Sequence, residues 1–138
     1  MPESYGITAL QSGGSVKQLI ARHTPLATRG ILLTGGVPYL RGCLVHAATV
    51  AGPFIKSTTG TLPADTDVMA IVSQDIDLTA LGNTVHLGYV GPGEFVRGTV
   101  LGASAALDAA AILAVDEALV KRGMNLVRAA YDDVTDAM

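Results

Sequence analysis

A chain of 138 residues is long enough to bury one sizeable hydrophobic core and short for two, so a single domain is expected. Hydrophobic residues make up 49% of the sequence, charged residues 15% and aromatic residues only 4%, which predicts an aliphatic core. The mean hydropathy of +0.43 indicates that apolar surface is also buried against other subunits or a partner. The single cysteine, Cys43, excludes an intrachain disulfide and a cysteine-cluster metal site.

The charge of the chain is distributed asymmetrically. Residues 1–66 hold five Lys/Arg and two Asp/Glu, a balance of +3, and residues 67–138 hold four and ten, a balance of −6. Because the five basic residues are dispersed and do not alternate with aromatic residues in a basic patch, we expect no direct nucleic-acid binding. No uncharged run reaches the roughly 20 residues of a membrane helix, so no membrane partner is expected. The first ten residues lack the pattern of a secretion signal, which favours synthesis in the cytoplasm.

The chain begins with a polar, glycine-rich stretch, MPESYGITALQSGGS (1–15), which predicts a flexible N-terminal arm. Its apolar residues are Tyr5, Ile7 and Leu10. Alternation places Tyr5 and Ile7 on one face of an extended chain. These three residues are therefore the candidate anchors through which the arm would bind a partner, by adding a strand to an exposed sheet edge.

Short apolar runs separated by turn signals such as GG, AGP, LGN and GPG follow the arm, a pattern typical of a small β-barrel or sandwich. DVMAIVS (67–73) is apolar on both faces, which predicts a strand covered by the core on one side and by a helix or a neighbouring subunit on the other. In NTVHLGYV (83–90), Val85, Leu87 and Tyr89 alternate with Thr84, His86 and Gly88 as in a half-buried strand. The predicted strands are, in order, VKQLIA, RGILLT, YLRGCLVH, GPFIKS, DVMAIVS, NTVHLGYV and EFVRGTVL.

One helix is predicted, in SAALDAAAILAVDEALVKRGM (104–124), because Ala is the best helix former and the apolar residues recur at helical spacing. Ser104 and Asp108 are the alternative caps for its start, and Gly123 suits the left-handed position that ends it. The helix is expected to pack on the barrel, followed by a last strand in MNLVRAAY (124–131).

The predicted organisation is therefore a flexible arm (1–15), a mainly β domain with one C-terminal helix (16–131) and an acidic tail (132–138).

Three acidic residues are the first candidates for chemistry. Asp75 and Asp77 lie two residues apart after an apolar strand, as the carboxylates of a metal or glycosidase site do. Their surroundings, SQDIDLTALGN, nevertheless have the composition of a turn whose side chains bond to the local backbone. Glu94 follows a Gly-Pro-Gly turn and begins a strand, where a charge often guards an exposed edge. We interpret all three as structural.

The histidines His23, His46 and His86 lie on separate segments, and none has a second ligand at a metal-motif spacing. The sequence leaves open whether the fold brings these histidines together, although single histidines on strands are more often surface or interface residues. No serine or cysteine sits in a nucleophile elbow, and SGGS lacks the preceding strand of a phosphate loop. The sequence therefore predicts no catalytic residue, no metal ligand and no cofactor, and a protein that is not an enzyme.

Four segments, in this order, carry a resemblance to a known family. The first, TPLATRGILLTGGVPYLRGCLVH, has a strand, a Gly-Gly pair and an L-[KR]-G-x-[VL]-[LV] step, and the second, VMAIVSQDID, is an apolar strand that ends in an acidic turn. The third, TVHLGYVGPGEF, is a strand that closes on Gly-Glu-Phe, and the fourth, ALVKRGMNLV, has a terminal helix, an Arg-Gly turn and a strand. Over residues 19–127 the chain resembles the lambda-like head decoration (capsid cement) proteins of tailed bacteriophages. Departures from the family's pattern are Ala70 at a common glycine, Ser73 and Gln74 for Ala and Glu, and the Gly-Pro pair before Gly93.

The resemblance implies a compact β-tulip domain that forms homotrimers and an arm that orders on the capsid. The implied partner is the major capsid protein, of HK97-like fold, at three-fold and quasi-three-fold positions on the outer surface of the expanded virion head. The trimers would be made in the host bacterial cytoplasm and would stabilise the head against the pressure of packaged DNA. The residues leave two alternatives open: a small β-barrel module that binds a ligand or nucleic acid, and a small enzyme that uses Asp75, Asp77 and a histidine.

Overall fold

A computed structural model describes residues 18–21, 27–104 and 106–128 of the chain. The predicted arm and acidic tail, with Tyr5, Ile7, Leu10 and also His23, lie outside the described residues. Within these residues the fold is mainly β, as predicted, and contains two helices. Its elements are β1 (Thr28–Leu33), β2 (Pro38–Tyr39), β3 (Leu44–Ala47), β4 (Ile55–Lys56), β5 (Val68–Val72), β6 (Ile76–Asp77), β7 (Thr84–Tyr89), β8 (Gly93–Val96), α1 (Arg97–Ala103), α2 (Ala109–Lys121) and β9 (Met124–Val127).

Five strands form an antiparallel sheet in the order β1-β7-β5-β3-β4, and two smaller ladders pair β2 with β6 and β8 with β9. The ends of the large sheet approach each other at a single bridge. The Phe54 N–H, just before β4, donates to the Leu32 carbonyl at 2.7 Å, and the Phe54 carbonyl accepts from the Thr34 N–H at 3.0 Å. Because pairing does not continue beyond this bridge, the predicted barrel is not closed in the part of the chain that the structure describes.

One face of the large sheet, which we call the loop-side face, packs on a core formed with the connecting segments. Ile31, Val45 and Val72 point into it from β1, β3 and β5. Gly88 of β7 makes room for Ile31, since a Cβ at Gly88 would lie 2.7 Å from the Ile31 Cδ1 atom. The other members of this core include Leu33, Tyr39, Cys43, Phe54, Ala70, Ile76 and Leu78.

The opposite, helix-side face packs on α1 and α2. Leu44, Met69 and Ile71 of β3 and β5 contact a cluster that includes Val100 of α1 and Val115 of α2. The prediction that DVMAIVS is covered on both faces is therefore confirmed, and a helix layer provides the second cover.

Helix α2 has one of the two predicted caps and the predicted end. The Asp108 side chain accepts a hydrogen bond from the Ala111 N–H at 2.8 Å, and Gly123 adopts a φ of 78° just after the helix. The other candidate cap, Ser104, does not start this helix, because its hydroxyl accepts from the Leu44 N–H at 2.9 Å and so ties α1 to β3. Strand β9 follows in the predicted MNLVRAAY segment.

The prediction of a strand over EFVRGTVL is wrong beyond Val96, because the chain enters helix α1 there. Its sequence, RGTVLGA, contains two glycines and two β-branched residues and has little intrinsic helix propensity. Tertiary contacts stabilise this helix instead: Val100 is buried in the helix-side core, and the Thr99 hydroxyl donates to the Gln18 carbonyl at 2.5 Å. Arg97 adds an ion pair to Asp116 of α2 at 2.7 Å.

Two further predicted strands differ from the prediction in their described residues. YLRGCLVH is divided into β2 and β3 by a turn in which Gly42 has a φ of 99°. In VKQLIA, the described residues 18–21 form only a bridge between Ile20 and Phe95.

Candidate interaction surface

Strand β7 presents its apolar residues to solvent at one end of the large sheet. Val85 is 62% exposed and Leu87 is 56% exposed, while Gly88 on the opposite face is buried. A half-buried strand would turn the apolar face inward, so that prediction is wrong for Val85 and Leu87. Only Tyr89 reaches the helix-side core, where its ring lies 5.6 Å from that of Phe95.

The register of the sheet explains this arrangement. Directly paired residues of antiparallel strands share a face, and Ile31, which lies in the loop-side core, pairs with His86. Val85 and Leu87 must therefore lie on the helix-side face. That face is packed against helices only toward its middle, and neither residue belongs to the helix-side core.

The exposed strip continues onto the neighbouring strand. Leu32 of β1 pairs with Val85 and is half-buried, and Gly30 pairs with Leu87. A Cβ at Gly30 would lie 2.9 Å from the Val85 Cγ1 atom, so the glycine leaves this part of the surface flat. We call Leu32, Val85 and Leu87 the β1–β7 apolar face; no residue that β1 or β7 contributes to this side is charged.

Among the described residues, the apolar face adjoins a sheet edge that is open over most of its length. Strand β1 is the last strand of the sheet, and its outer edge has one pairing among the described residues, the Leu33–Phe54 bridge near its end. Its first three residues, Thr28 to Gly30, are exposed. An incoming extended strand could therefore pair with β1 and pack on the apolar face at the same place.

A second exposed apolar strip lies on α2. Leu113 is 62% exposed and Val120 is 59% exposed. They are seven positions apart, about 10.5 Å along a helix, and the acidic residues Asp116 and Glu117 lie between them. The α2 strip is therefore interrupted by charge, whereas the β1–β7 apolar face is continuous.

The aspartates of the predicted acidic turn bind backbone groups. Asp77 accepts from both the N–H and the hydroxyl of Thr79, at 3.0 and 2.6 Å, as the turn interpretation predicted. The hydroxyl hydrogen bond, followed by the backbone one, lowers the pKa of Asp77. Asp75 instead accepts from the Arg41 N–H at 2.8 Å and so joins this turn to the one before β3.

Glu94 does not guard an exposed strand edge, contrary to the prediction. It pairs with Asn125 of β9 on one side of β8, and its carbonyl accepts from the Ala21 N–H at 2.9 Å on the other. Both edges of β8 are thus occupied at this position.

The two described histidines make separate contacts. The His46 Nδ1 atom lies 2.8 Å from the buried Ser57 hydroxyl, and the His86 Nε2 atom lies 2.7 Å from the Thr84 hydroxyl. Among residues 18–21, 27–104 and 106–128, no group of three or more His, Cys, Asp and Glu side chains could hold a metal ion. Since His46 and Ser57 are both buried, this pair offers no hydroxyl to a substrate in solution.

Leu32, Val85 and Leu87 were not among the binding residues that the sequence suggested. A signal was present: NTVHLGYV carries an uncharged apolar face in a chain with few charges, which suits an interface as well as a core.

Within the described ranges, no helix is long and apolar enough to cross a membrane. No protein-family model matches the chain, and a search of the curated proteins finds no match to it.

Proposed function

We propose that the protein is a bacteriophage capsid decoration protein that binds the outer surface of the expanded head as a homotrimer and stabilises it. Its partners are other copies of the chain and a major capsid protein of HK97-like fold. The resemblance over residues 19–127 supports this function. The observation that carries it is the β1–β7 apolar face, an exposed, uncharged surface beside a sheet edge that is mostly unpaired in the described part of the chain.

The β1–β7 apolar face is assigned to the contact with a second copy. Interface cores are depleted in charge, and this face is uncharged and flat across both strands. Two of its three side chains are more than half exposed, so a neighbouring subunit would remove substantial apolar area from water. The arm, with Tyr5, Ile7 and Leu10, is assigned to the capsid protein.

The proposed action is binding alone. A ligand that binds the assembled, expanded shell and not its dissociated subunits stabilises the shell by mass action. Three arms on one trimer raise the effective concentration of each arm for its site, so weak individual contacts give firm attachment.

Pelleting of expanded, undecorated heads with the protein tests the proposal. We expect the full-length chain to pellet with the heads at saturating stoichiometry and to protect them against disruption by heat. A chain lacking residues 1–15, and the double variant Val85→Ser/Leu87→Ser, should each need a higher protein concentration for the same occupancy. The matched control is Leu113→Ser/Val120→Ser on α2, which should behave as the unmodified protein. Absence of the unmodified protein from the pelleted heads would refute the proposal.

A further inference from the structure

The segment that joins β4 to β5, residues 57–67, is attached to the rest of the domain by side-chain contacts near its start, its middle and its end. We call it the β4–β5 loop. Its first residue, Ser57, is buried, and the Ser57 N–H donates to the Leu44 carbonyl at 2.9 Å. Most of the residues from Thr59 to Thr66 are exposed. Thr59 is the middle attachment: its hydroxyl donates to the Ala106 carbonyl at 2.8 Å and accepts from the Asp108 N–H at 2.9 Å. The other two attachments lie at the ends of the loop.

Arg122, at the end of α2, holds the far end of the loop. Its guanidinium donates to the carbonyls of Ala64 at 3.0 Å, Asp65 at 3.1 Å and Asp67 at 2.7 Å. It also donates to the Ala118 carbonyl of its own helix at 2.6 Å. One cation thus ties the loop to the C-terminal end of α2, where the helix dipole favours positive charge.

His46 holds the near end of the loop. This residue lies on β3, is buried, and has its Nδ1 atom 2.8 Å from the Ser57 hydroxyl. Two charged groups act on the ring: the Asp67 carboxylate at the end of the loop and the Arg122 guanidinium at the end of α2. The Asp67 carboxylate itself accepts from the Ala64 N–H at 2.8 Å, within the loop.

We propose that His46, Ser57 and Arg122 form an acid-sensitive latch, in which the neutral His46 ring keeps the β4–β5 loop closed and a protonated ring releases it. A protonated ring would be a buried positive charge that the Arg122 guanidinium repels. Opening of the loop would lower the free energy of the protonated state, because it exposes the ring to solvent and separates it from the guanidinium. The latch couples the charge of one side chain to the position of an exposed segment.

The electrostatics agree with this geometry. Burial lowers the pKa of His46 below its ordinary value of 6.5; Asp67 acts to raise it, and Arg122 lowers it further. In the open state the exposed ring would titrate near 6.5, whereas in the closed state it titrates at lower pH. The open population therefore rises as the pH falls through this interval, by up to about tenfold per pH unit.

Two measurements on the full chain test the latch. In NMR titrations His46 should have a pKa below 6.5. In hydrogen exchange, corrected for the intrinsic pH dependence of amide exchange, the protection of loop amides should fall between pH 7.5 and pH 5. His46→Gln, which keeps a hydrogen-bonding group but cannot become charged, should abolish that fall, and the matched variant His86→Gln should retain it.

A further pair of variants keeps the proposal testable should His46→Gln fail to fold. Asp67→Asn removes the attractive charge and should lower the His46 pKa, whereas Arg122→Gln removes the repulsive charge and should raise it. The proposal is overturned if His46 titrates at or above 6.5, if loop protection is independent of pH, or if the two charge variants do not shift the pKa in opposite directions.

Discussion

Replacement of Val85 and Leu87 by serine should separate association from folding. More than half of each side chain is exposed in the single chain. Full burial of a Val or Leu side chain contributes about 1.5–3 kcal/mol, so the exposed part of each holds roughly 1–2 kcal/mol for an interface. The pair therefore contributes roughly 2–4 kcal/mol to the binding free energy of each contact. Its substitution should raise the dissociation constant about 30-fold to 1,000-fold.

The assay is sedimentation equilibrium over a wide concentration range, together with occupancy on expanded heads, where capsid contacts help the copies to assemble. Urea unfolding of the variant should give a free energy within about 1 kcal/mol of the unmodified protein, because exposed substitutions usually have small effects. Leu113→Ser/Val120→Ser changes a similar amount of exposed apolar surface on α2 and should leave association unchanged. Equal association of the two double variants, or loss of association only in the α2 variant, would refute the assignment of the β1–β7 apolar face.

The remaining predictions concern the stability and reactivity of the chain. Gly88→Ala should cost about 1–3 kcal/mol in urea unfolding, because its Cβ would lie 2.7 Å from a core atom, whereas Gly60→Ala, with nothing within 4 Å, should cost less. Asp108→Ala should lower the free energy of unfolding by about 1 kcal/mol through loss of the α2 cap, whereas Asp108→Asn should keep most of the stabilisation that the cap provides. Since the folded-state pKa of His46 lies below 6.5, its contribution to stability should be complete above pH 6.5 and decline as the pH falls below it; His46→Gln should remove this component of the unfolding curves. Burial raises the pKa of Cys43 to about 11, so thiol reagents at pH 8 should modify it only after denaturation; rapid modification of the folded protein would contradict this.

The elements that the sequence predicted correctly are those whose pattern is complete within a few residues. Strand β5 is apolar on both faces and needs no further information to be recognised as a buried strand. Helix α2 carries its cap, its alanines and its terminal glycine in one stretch. The turn at Asp77 is also local, since its partner Thr79 is two residues away.

Features that depend on distant contacts were not predictable in the same way. Helix α1 forms from a sequence of low helix propensity because Val100 enters the core and Thr99 binds Gln18. The contact between Asp75 and the Arg41 backbone, 34 residues apart, has no local signature. The same holds for the apolar face of β7: alternation shows that a strand has two unlike faces, but the layer above the sheet decides which one is covered.

The position of the β1–β7 apolar face indicates that strand pairing and apolar packing belong to one contact with the same neighbour. Within the described residues, the β1–β7 apolar face and the open edge of β1 lie at the same end of the large sheet. A neighbouring strand that paired with Thr28 and Gly30 would bring its alternate side chains over Leu87, so strand pairing and apolar burial would reinforce each other. Val85→Ser/Leu87→Ser removes only the apolar part and leaves the backbone groups of β1 unchanged. A proline at Gly30 would remove an N–H from strand pairing. If both parts serve the same neighbour, the combined loss of association with the double serine variant should be smaller than the sum of the two separate losses, because each change alone already weakens the other part of the contact.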